Sequence, residues 1–212
     1  MGRCLKKKPF FIVFEGVEGC GKSYQSKRLH VHLKKKNIPS IITREPGGTR
    51  SAELIRRLIL KDYFRKSKND KFDKYTDTLL YMAARNEHVK NKIIPALKKR
   101  KIVICDRFID STFAYQVHGK KVDKNFVNLI HKYTLKGLKP NLVFLLKVSP
   151  KSSKKRLSKR KNKNRYDKFP QSFYNKAQKS FIDIAKNKKN YFILNSSKND
   201  NILEKEILNI VL

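Results

Sequence analysis

The sequence predicts an α/β domain in which five parallel strands form one sheet with helices on both faces. Three observations predict it. Short apolar runs recur at Phe11–Phe14, Ile41–Thr43, Ile102–Cys105, Leu142–Leu146 and Tyr191–Leu194. Each has strand length without clean alternation, as strands covered on both faces do. Between them lie segments with helical apolar spacing: Ser23–Lys35, Ser51–Leu60, Asp77–Lys99, Asn125–Leu135 and Ser172–Lys186. Strand–helix–strand repetition is the connection that a parallel sheet requires. The third observation is length, since 212 residues suffice for one such domain with a buried core and are short for two. With no internal repeat and no Pro/Gly/Ser-rich linker, residues 1–212 are expected to form a single domain.

Composition narrows the class of function. Lys plus Arg number 52 and Asp plus Glu 17, a formal charge of +35. One reading of that charge is nucleic-acid or acidic-membrane binding. The other is a solvated surface rich in Lys and Asn, as at Lys34–Lys36, Lys98–Lys101 and Lys186–Lys189. The cations are spread along the chain with no basic tail and no nucleic-acid motif, which favours the second reading. Such a field would also draw in a polyanionic nucleotide. Cys4, Cys20 and Cys105 fit no metal or redox spacing, which argues against a disulfide-stapled secreted fold. No segment approaches the ~18 apolar residues of a membrane span. Phe10–Phe14 is too short for a signal peptide, and Lys6 breaks a myristoylation pattern after Gly2. A soluble, cytoplasmic protein is expected.

The first strand runs into Gly16-Val17-Glu18-Gly19-Cys20-Gly21-Lys22-Ser23. This is Gly, four residues, then Gly-Lys-Ser, between a strand and a helix, which is the phosphate-binding loop of the P-loop NTPase fold. Its glycines let successive backbone N–H groups face phosphate oxygens, and the following helix adds its positive dipole end. Lys22 would neutralise the β- and γ-phosphates of ATP or GTP, and the Ser23 hydroxyl would ligate Mg²⁺. Cys20 lies between two glycines, where a small residue serves. Beside a helix N-terminus and Lys22, it could instead be a reactive thiolate, open to small thiol reagents and protected by ATP–Mg²⁺.

The second strand closes on Thr43-Arg44-Glu45-Pro46-Gly47-Gly48-Thr49, whose Pro-Gly-Gly turn presents Arg44 at the strand's carboxyl end. The third strand ends in Asp106, where a doubly wound sheet places its ligands. Asp106 is a candidate metal ligand, although an Asp after a strand is also a common helix cap. Arg107 beside it adds a guanidinium suited to bidentate phosphate binding. After the fourth strand, residues 151–168 carry ten basic side chains against the single acid Asp167. This segment reads as a solvated loop or as a basic lid over phosphates.

Several stretches, in this order, resemble the thymidylate kinase family, which phosphorylates dTMP to dTDP. They are Phe14–Ser23, Thr43–Thr49, Ala83-Ala84-Arg85, Asp106–Gln116, and Arg165-Tyr166-Asp167 with Phe173-Tyr174-Asn175. The Arg-Glu-Pro-Gly-Gly-Thr and Asp-Arg…Ser-Thr-x-Ala-Tyr-Gln elements are far more specific to that family than the phosphate loop. The resemblance implies that Glu18 accepts from the deoxyribose 3′-OH and that Arg44 and Arg107 grip the acceptor 5′-phosphate. It implies that Arg85 reaches a thymine carbonyl, with Tyr81 stacked on the base. Ser111 and Gln116 would lie near the base edge, and Tyr115 would crowd the sugar 2′ position. Tyr81 and Arg85 are i and i+4, hence on one helix face, although a core aromatic would show the same spacing.

Positions 17–20 hold no arginine, whereas Arg156, Arg160 and Arg165 fall in the basic segment. That is similar to the family's bacterial-type arrangement, in which a lid arginine stabilises the transferring phosphoryl. Lys22, Arg107 and these three arginines form the expected catalytic set. The resemblance also implies ATP as donor, Mg²⁺ held at Ser23 and Asp106, and a homodimer, with no specific nucleic-acid or membrane partner. Departures from the family pattern include Phe108, Tyr24, Val117-His118, Lys120-Lys121 and Asp167. The rival expectations are another nucleoside monophosphate or deoxynucleoside kinase, and a nucleic-acid-binding protein on a degenerate kinase fold.

Overall fold

A computed structural model describes residues 8–61, 72–160, 166, 169–197 and 200–212. Five strands form one parallel sheet: β1 (Phe10–Glu15), β2 (Ser40–Arg44), β3 (Ile102–Asp106), β4 (Leu142–Lys147) and β5 (Tyr191–Asn195), in the order β2-β3-β1-β4-β5. All five strand expectations hold. The apolar runs are continuous because side chains alternate between two apolar layers. Ile12, Phe14, Ile102, Ile104 and Phe144 pack with Leu29 and Leu33 in one layer. Phe11, Val13, Val103, Cys105 and Val143 pack with Ile93, Phe108 and Leu135 in the other. Full burial applies only to the three inner strands. The edge strands β2 and β5 are largely half-buried, since each has a neighbour on one side only.

The helices are α1 (Lys22–Lys35), α2 (Arg50–Leu60), α3 (Lys74–His88), α4 (Ile94–Lys98), α5 (Ile109–Thr112), α6 (Lys124–Leu135), α7 (Pro150–Ser158), α8 (Gln171–Ala185) and α9 (Asp200–Val211). Their starts follow local chemistry. Thr49 caps α2 by accepting from the Ala52 N–H, and Asp73, Asp123 and Ser149 cap α3, α6 and α7.

Several segments depart from the sequence expectations, among them α5 and the π-helical turn Phe113–Gly119 that follows it, where no helix is expected. The continuous helix expected over Asp77–Lys99 is broken into α3, a π-helical turn at Val89–Ile93, and α4. Pro95 has no N–H to donate and its ring crowds the preceding turn, so the helix widens ahead of it. The basic segment is no loop at its start, because Ser149-Pro150 begins α7 as a capped helix with proline at its first position. Positions 161–165 and 167–168, including Arg165 and Asp167, lie outside the described residues. Finally, the structure adds α9, in which Leu203, Ile207 and Val211 recur at helical spacing and are buried. Among the described residues, no helix is long and apolar enough to cross a membrane.

Sheet order fixes where chemistry can happen. The connections leaving β1 and β3 run to opposite sides of the sheet, which opens a crevice at the carboxyl ends of those neighbouring strands. Register then places Arg44 beside Asp106 and Asp106 beside Phe14, so the ends of β2, β3 and β1 stand abreast.

Candidate active site

The crevice holds a cavity of about 410 Å³, a size suited to a small polyanionic ligand. Glu18, Gly19, Gly21, Lys22 and Ser23 line one side. Arg44, Tyr81, Arg85, Asp106, Arg107, Ser111, Tyr115 and Gln116 line the other, and Arg156 and Arg160 overhang it from the end of β4 and α7. Residues separated by most of the chain therefore meet as the motifs predicted.

The phosphate loop is shaped by glycine where nothing else fits. At Gly16, φ is +135° and a Cβ would come 2.6 Å from the Leu146 carbonyl oxygen. Lys22 is buried and its Nζ donates to the carbonyls of Gly16 at 2.9 Å and Val17 at 2.8 Å, inside the cup of its own loop. Val17 and Cys20 are buried in the core layer below, so these two residues can offer a ligand only backbone groups. Cys20 has no exposed surface and its sulfur lies 3.4 Å from Lys22 Nζ, because the loop wraps around it, a packing that suits the small residue expected between two glycines.

Ser23 Oγ donates to Asp106 Oδ2, joining the start of α1 to the end of β3. A hydroxyl and a carboxylate are the hard oxygen donors that Mg²⁺ takes. Among the described residues, no cluster of three or more His, Cys, Asp or Glu could form an all-protein cage.

Arg107 sits at the hub. Its Nη1 donates to Gly16 O at 2.9 Å and Ser111 Oγ at 3.1 Å, and its Nη2 donates to Glu18 Oε1 at 2.8 Å. The other Glu18 oxygen accepts from the Tyr115 hydroxyl at 2.6 Å. The Arg107 guanidinium lies over the Tyr115 ring, 5.3 Å from its centre. Burial works to lower the Arg107 pKa, but Glu18 and its acidic neighbours outweigh it, and the cation is held firmly charged.

Arg44 faces the cavity with Glu53 at 3.0 Å. Arg85 is almost wholly buried, donating from Nε to Glu45 Oε2 at 2.7 Å. Tyr81 meets the ring of Tyr166 edge-on at 6.4 Å, and Tyr166 also packs on Tyr115 at 5.8 Å. Gln116 is buried, its amide 3.4 Å from the Tyr166 hydroxyl. Ser111 lines the cavity, yet its hydroxyl donates to Glu15 Oε2 at 2.7 Å, so it also supports the floor. Arg156 Nη1 donates to Gly19 O at 3.3 Å, and Ser153 Oγ donates to Glu18 O at 2.9 Å. These two bonds dock α7 on the phosphate loop.

Sequence reasoning missed four buried supports and one cation. Glu15 accepts from the Phe108 and Ser111 N–H groups beneath the loop, and burial followed by nearby Asp110 pushes its pKa up to about 7. A single acid closing an apolar strand was the available signal. His88 lies under the Pro-Gly-Gly turn, bonded to Thr43 Oγ1 and to Glu45 Oε1. His131 meets Arg85 from α6. Glu45 falls inside the Arg-Glu-Pro-Gly-Gly-Thr element, but nothing local marks it or His88 as a buried support. Arg56 lines the cavity and donates to Pro46 O at 2.6 Å. It shares a face of α2 with buried Ala52, a spacing readable from the sequence. Among the departures, Phe108 is fully buried under the Arg85 guanidinium, and Lys120 pairs with Asp77 at 2.7 Å.

Residues 14–207 match the family model described as Thymidylate kinase. The chain is 38% identical over 206 residues to a thymidylate kinase of Mycoplasmoides gallisepticum, covering 97% of this chain and 95% of that one. It is 44% identical over 179 residues to a thymidylate kinase of a Wolbachia from Brugia malayi, covering 84% and 82%. The crystal structure of thymidylate kinase from Ehrlichia chaffeensis superposes with a TM-score of 0.74 at 29% identity, covering 96% of this chain and 98% of that one.

Proposed function

This chain belongs to the thymidylate kinase family, and from that premise we propose how its residues share the transfer of a phosphoryl group from ATP to dTMP. The observation that carries the assignment is the single cavity between Gly19–Ser23 and the wall of Arg44, Arg85, Arg107 and Tyr115. It puts a donor-phosphate cradle and an acceptor pocket face to face. The rival kinases and the nucleic-acid reading gain nothing from relatives that are themselves thymidylate kinases.

The donor's β- and γ-phosphates lie over the backbone N–H groups from Gly16 to Gly21, with Lys22 Nζ turning from its own loop toward them. Arg156 and Arg160 bring cations to the γ-phosphoryl from above, where charge spreads over equatorial oxygens in the transition state. Arg165 belongs to the same proposed set. Ser23 and Asp106 would hold Mg²⁺, which when bound neutralises charge on the β- and γ-oxygens. On the acceptor side Arg44, Arg56 and Arg107 surround the 5′-phosphate. That group is already an anion, so its oxygen attacks in line without a strong general base. Positioning and charge neutralisation supply the rate.

Glu18 receives the sugar 3′-OH while pinning Tyr115, whose ring then occupies the space a 2′-OH would need. Tyr81 stacks on the base, Arg85 and Gln116 meet its polar edge, and Ser111 helps fix the nearby turn. We also assign a homodimer, supported by the exposed rows Leu54/Leu58 on α2 and Tyr75/Leu79 on the adjoining α3. We also assign a single kinase domain and a cytoplasmic setting; for the latter, the free thiols of Cys20 and Cys105 suit a reducing compartment.

The test is a coupled assay with dTMP, dUMP, UMP and AMP at saturating ATP–Mg²⁺. The expected order places dTMP first and UMP far behind in kcat/KM, because a site of buried polar groups penalises mismatches heavily. Equal turnover of UMP or AMP would sink the acceptor assignment.

A further inference from the structure

Glu15 closes β1, is 1% exposed and does not line the cavity, so it can act on a ligand there only through another residue. Its two oxygens face the segment that carries Arg107. Oε1 accepts from the N–H groups of Phe108 at 2.8 Å and Ser111 at 3.3 Å, and Oε2 accepts from Ser111 Oγ at 2.7 Å. The residues on either side hold the same arginine. The Arg107 N–H donates to Phe14 O at 2.9 Å, and Arg107 Nη1 donates to Gly16 O at 2.9 Å. The end of β1 therefore clasps Arg107 by backbone and side chain together.

Arg107 has φ +73°, in the left-handed region that a long side chain seldom adopts. Such a conformation persists where the bonds around it determine it, and the Phe108 N–H that follows is one of those Glu15 holds. The guanidinium is held through Ser111, because Nη1 also donates to Ser111 Oγ at 3.1 Å. A hydroxyl has one hydrogen and two lone pairs. Ser111 gives its hydrogen to Glu15 Oε2, so it turns lone pairs toward Arg107. With its Nη2 on Glu18 Oε1 at 2.8 Å, the guanidinium then lines the cavity in one setting. Without an acceptor at Glu15, the Ser111 hydrogen would be free to point at Nη1, and the fork would swing away from it.

We propose that Glu15 is a positioning residue for Arg107: by accepting the Ser111 hydroxyl hydrogen, it makes Ser111 an acceptor for Nη1 and fixes the guanidinium against the acceptor 5′-phosphate. The inference rests on the reading that Arg107 binds that phosphate.

Calorimetric Kd values for dTMP and for thymidine, which lacks the phosphate, separate the two. Titrations at about pH 8 keep Glu15 ionised, since burial and then Asp110 place its pKa at about 7. Glu15→Gln keeps an oxygen for the two N–H groups but sets an amide NH2 where Ser111 must donate. It is expected to weaken dTMP by ~10-fold, the scale of a hydrogen bond to a charged group, with thymidine within about twofold. Ser111→Ala should repeat that pattern, and adding it to Glu15→Gln should weaken dTMP little further. Wild-type dTMP affinity in Glu15→Gln, with a weakened one in Arg107→Lys, would overturn the role of Glu15 and leave Arg107 at the phosphate. Equal weakening of dTMP and thymidine by Glu15→Gln would also overturn it, because a general loosening of the site spares neither ligand. If Arg107→Lys leaves dTMP binding unchanged, both readings fall. Should Glu15→Gln not fold, Ser111→Ala decides: a loss confined to dTMP is expected, and no loss, or the same loss for thymidine, overturns the proposal.

Discussion

Arg85 and Glu45 form an ion pair 2.7 Å apart with both side chains almost completely buried, at 3% and 4% exposure. Glu45 follows Arg44 at the end of β2, whereas Arg85 lies on α3, so one buried pair ties the turn after β2 to α3. Burial alone would raise the Glu45 carboxyl, but Arg85 and then His88 outweigh it and hold it below the ordinary carboxylate range.

Removing one partner strands the other charge in a low-dielectric site. Glu45→Ala is therefore expected to cost about 3–5 kcal/mol of folding stability, and Glu45→Gln less, because the amide oxygen still accepts. Urea unfolding of the two variants checks this. A cost below about 1 kcal/mol for Glu45→Ala would show that the pair relaxes toward water, as exposed pairs do.

The proposed role of Arg156 and Arg160 lies in the transition state. Arg160→Ala and Arg156→Ala should each lower kcat by ~10²-fold or more while leaving the dTMP KM nearly unchanged. Arg156 also pairs with Asp200 at 3.3 Å, so its variant should disturb the ATP KM as well. Wild-type kcat in both variants and in Arg165→Ala would remove the segment from catalysis.

Ser23 and Asp106 are joined directly, and either change should weaken the same ion. Asp106→Asn is expected to raise the Mg²⁺ concentration needed for half-maximal rate by ~10-fold or more, and chelation should stop turnover in the wild type. An unchanged Mg²⁺ titration would exclude Asp106 from the metal shell.

Glu15 makes stability depend on pH in a defined direction. Its folded-state pKa, raised to about 7 from 4.5 first by burial and then by Asp110, lies above the unfolded value. The native state therefore binds more protons between those two values, and stability falls as pH rises from about 4.5 to about 7. Glu15→Gln should flatten this slope, read as melting temperature against pH. A steeper decline in the variant would rule out Glu15 as its source.

Cys20 is a matched test of burial against electrostatics. Its sulfur lies 3.4 Å from Lys22 Nζ at the start of α1, yet the residue has no exposed surface. Small thiol reagents should label it slowly in the native protein and rapidly in urea, as followed by mass spectrometry. Rapid native labelling would mean that the loop opens far more often than its packing implies.

The sequence by itself determined the five strands, their parallel order of appearance, the phosphate loop, and most of the cavity wall. Those signals are local. An apolar run of strand length, a glycine-rich turn before Lys22-Ser23, or Tyr81 and Arg85 one helical turn apart can be read within a few residues. Even the misread helix over Asp77–Lys99 contained its own correction in Pro95. What the tertiary structure alone decided is which distant groups meet. Arg44 stands beside Asp106 because of sheet register, and Glu45 finds Arg85 across 40 residues and His131 finds it across 46. No local period announces such partners. A buried charge must be compensated wherever the chain folds back upon it, and only the three-dimensional packing says which side chain is there to do so.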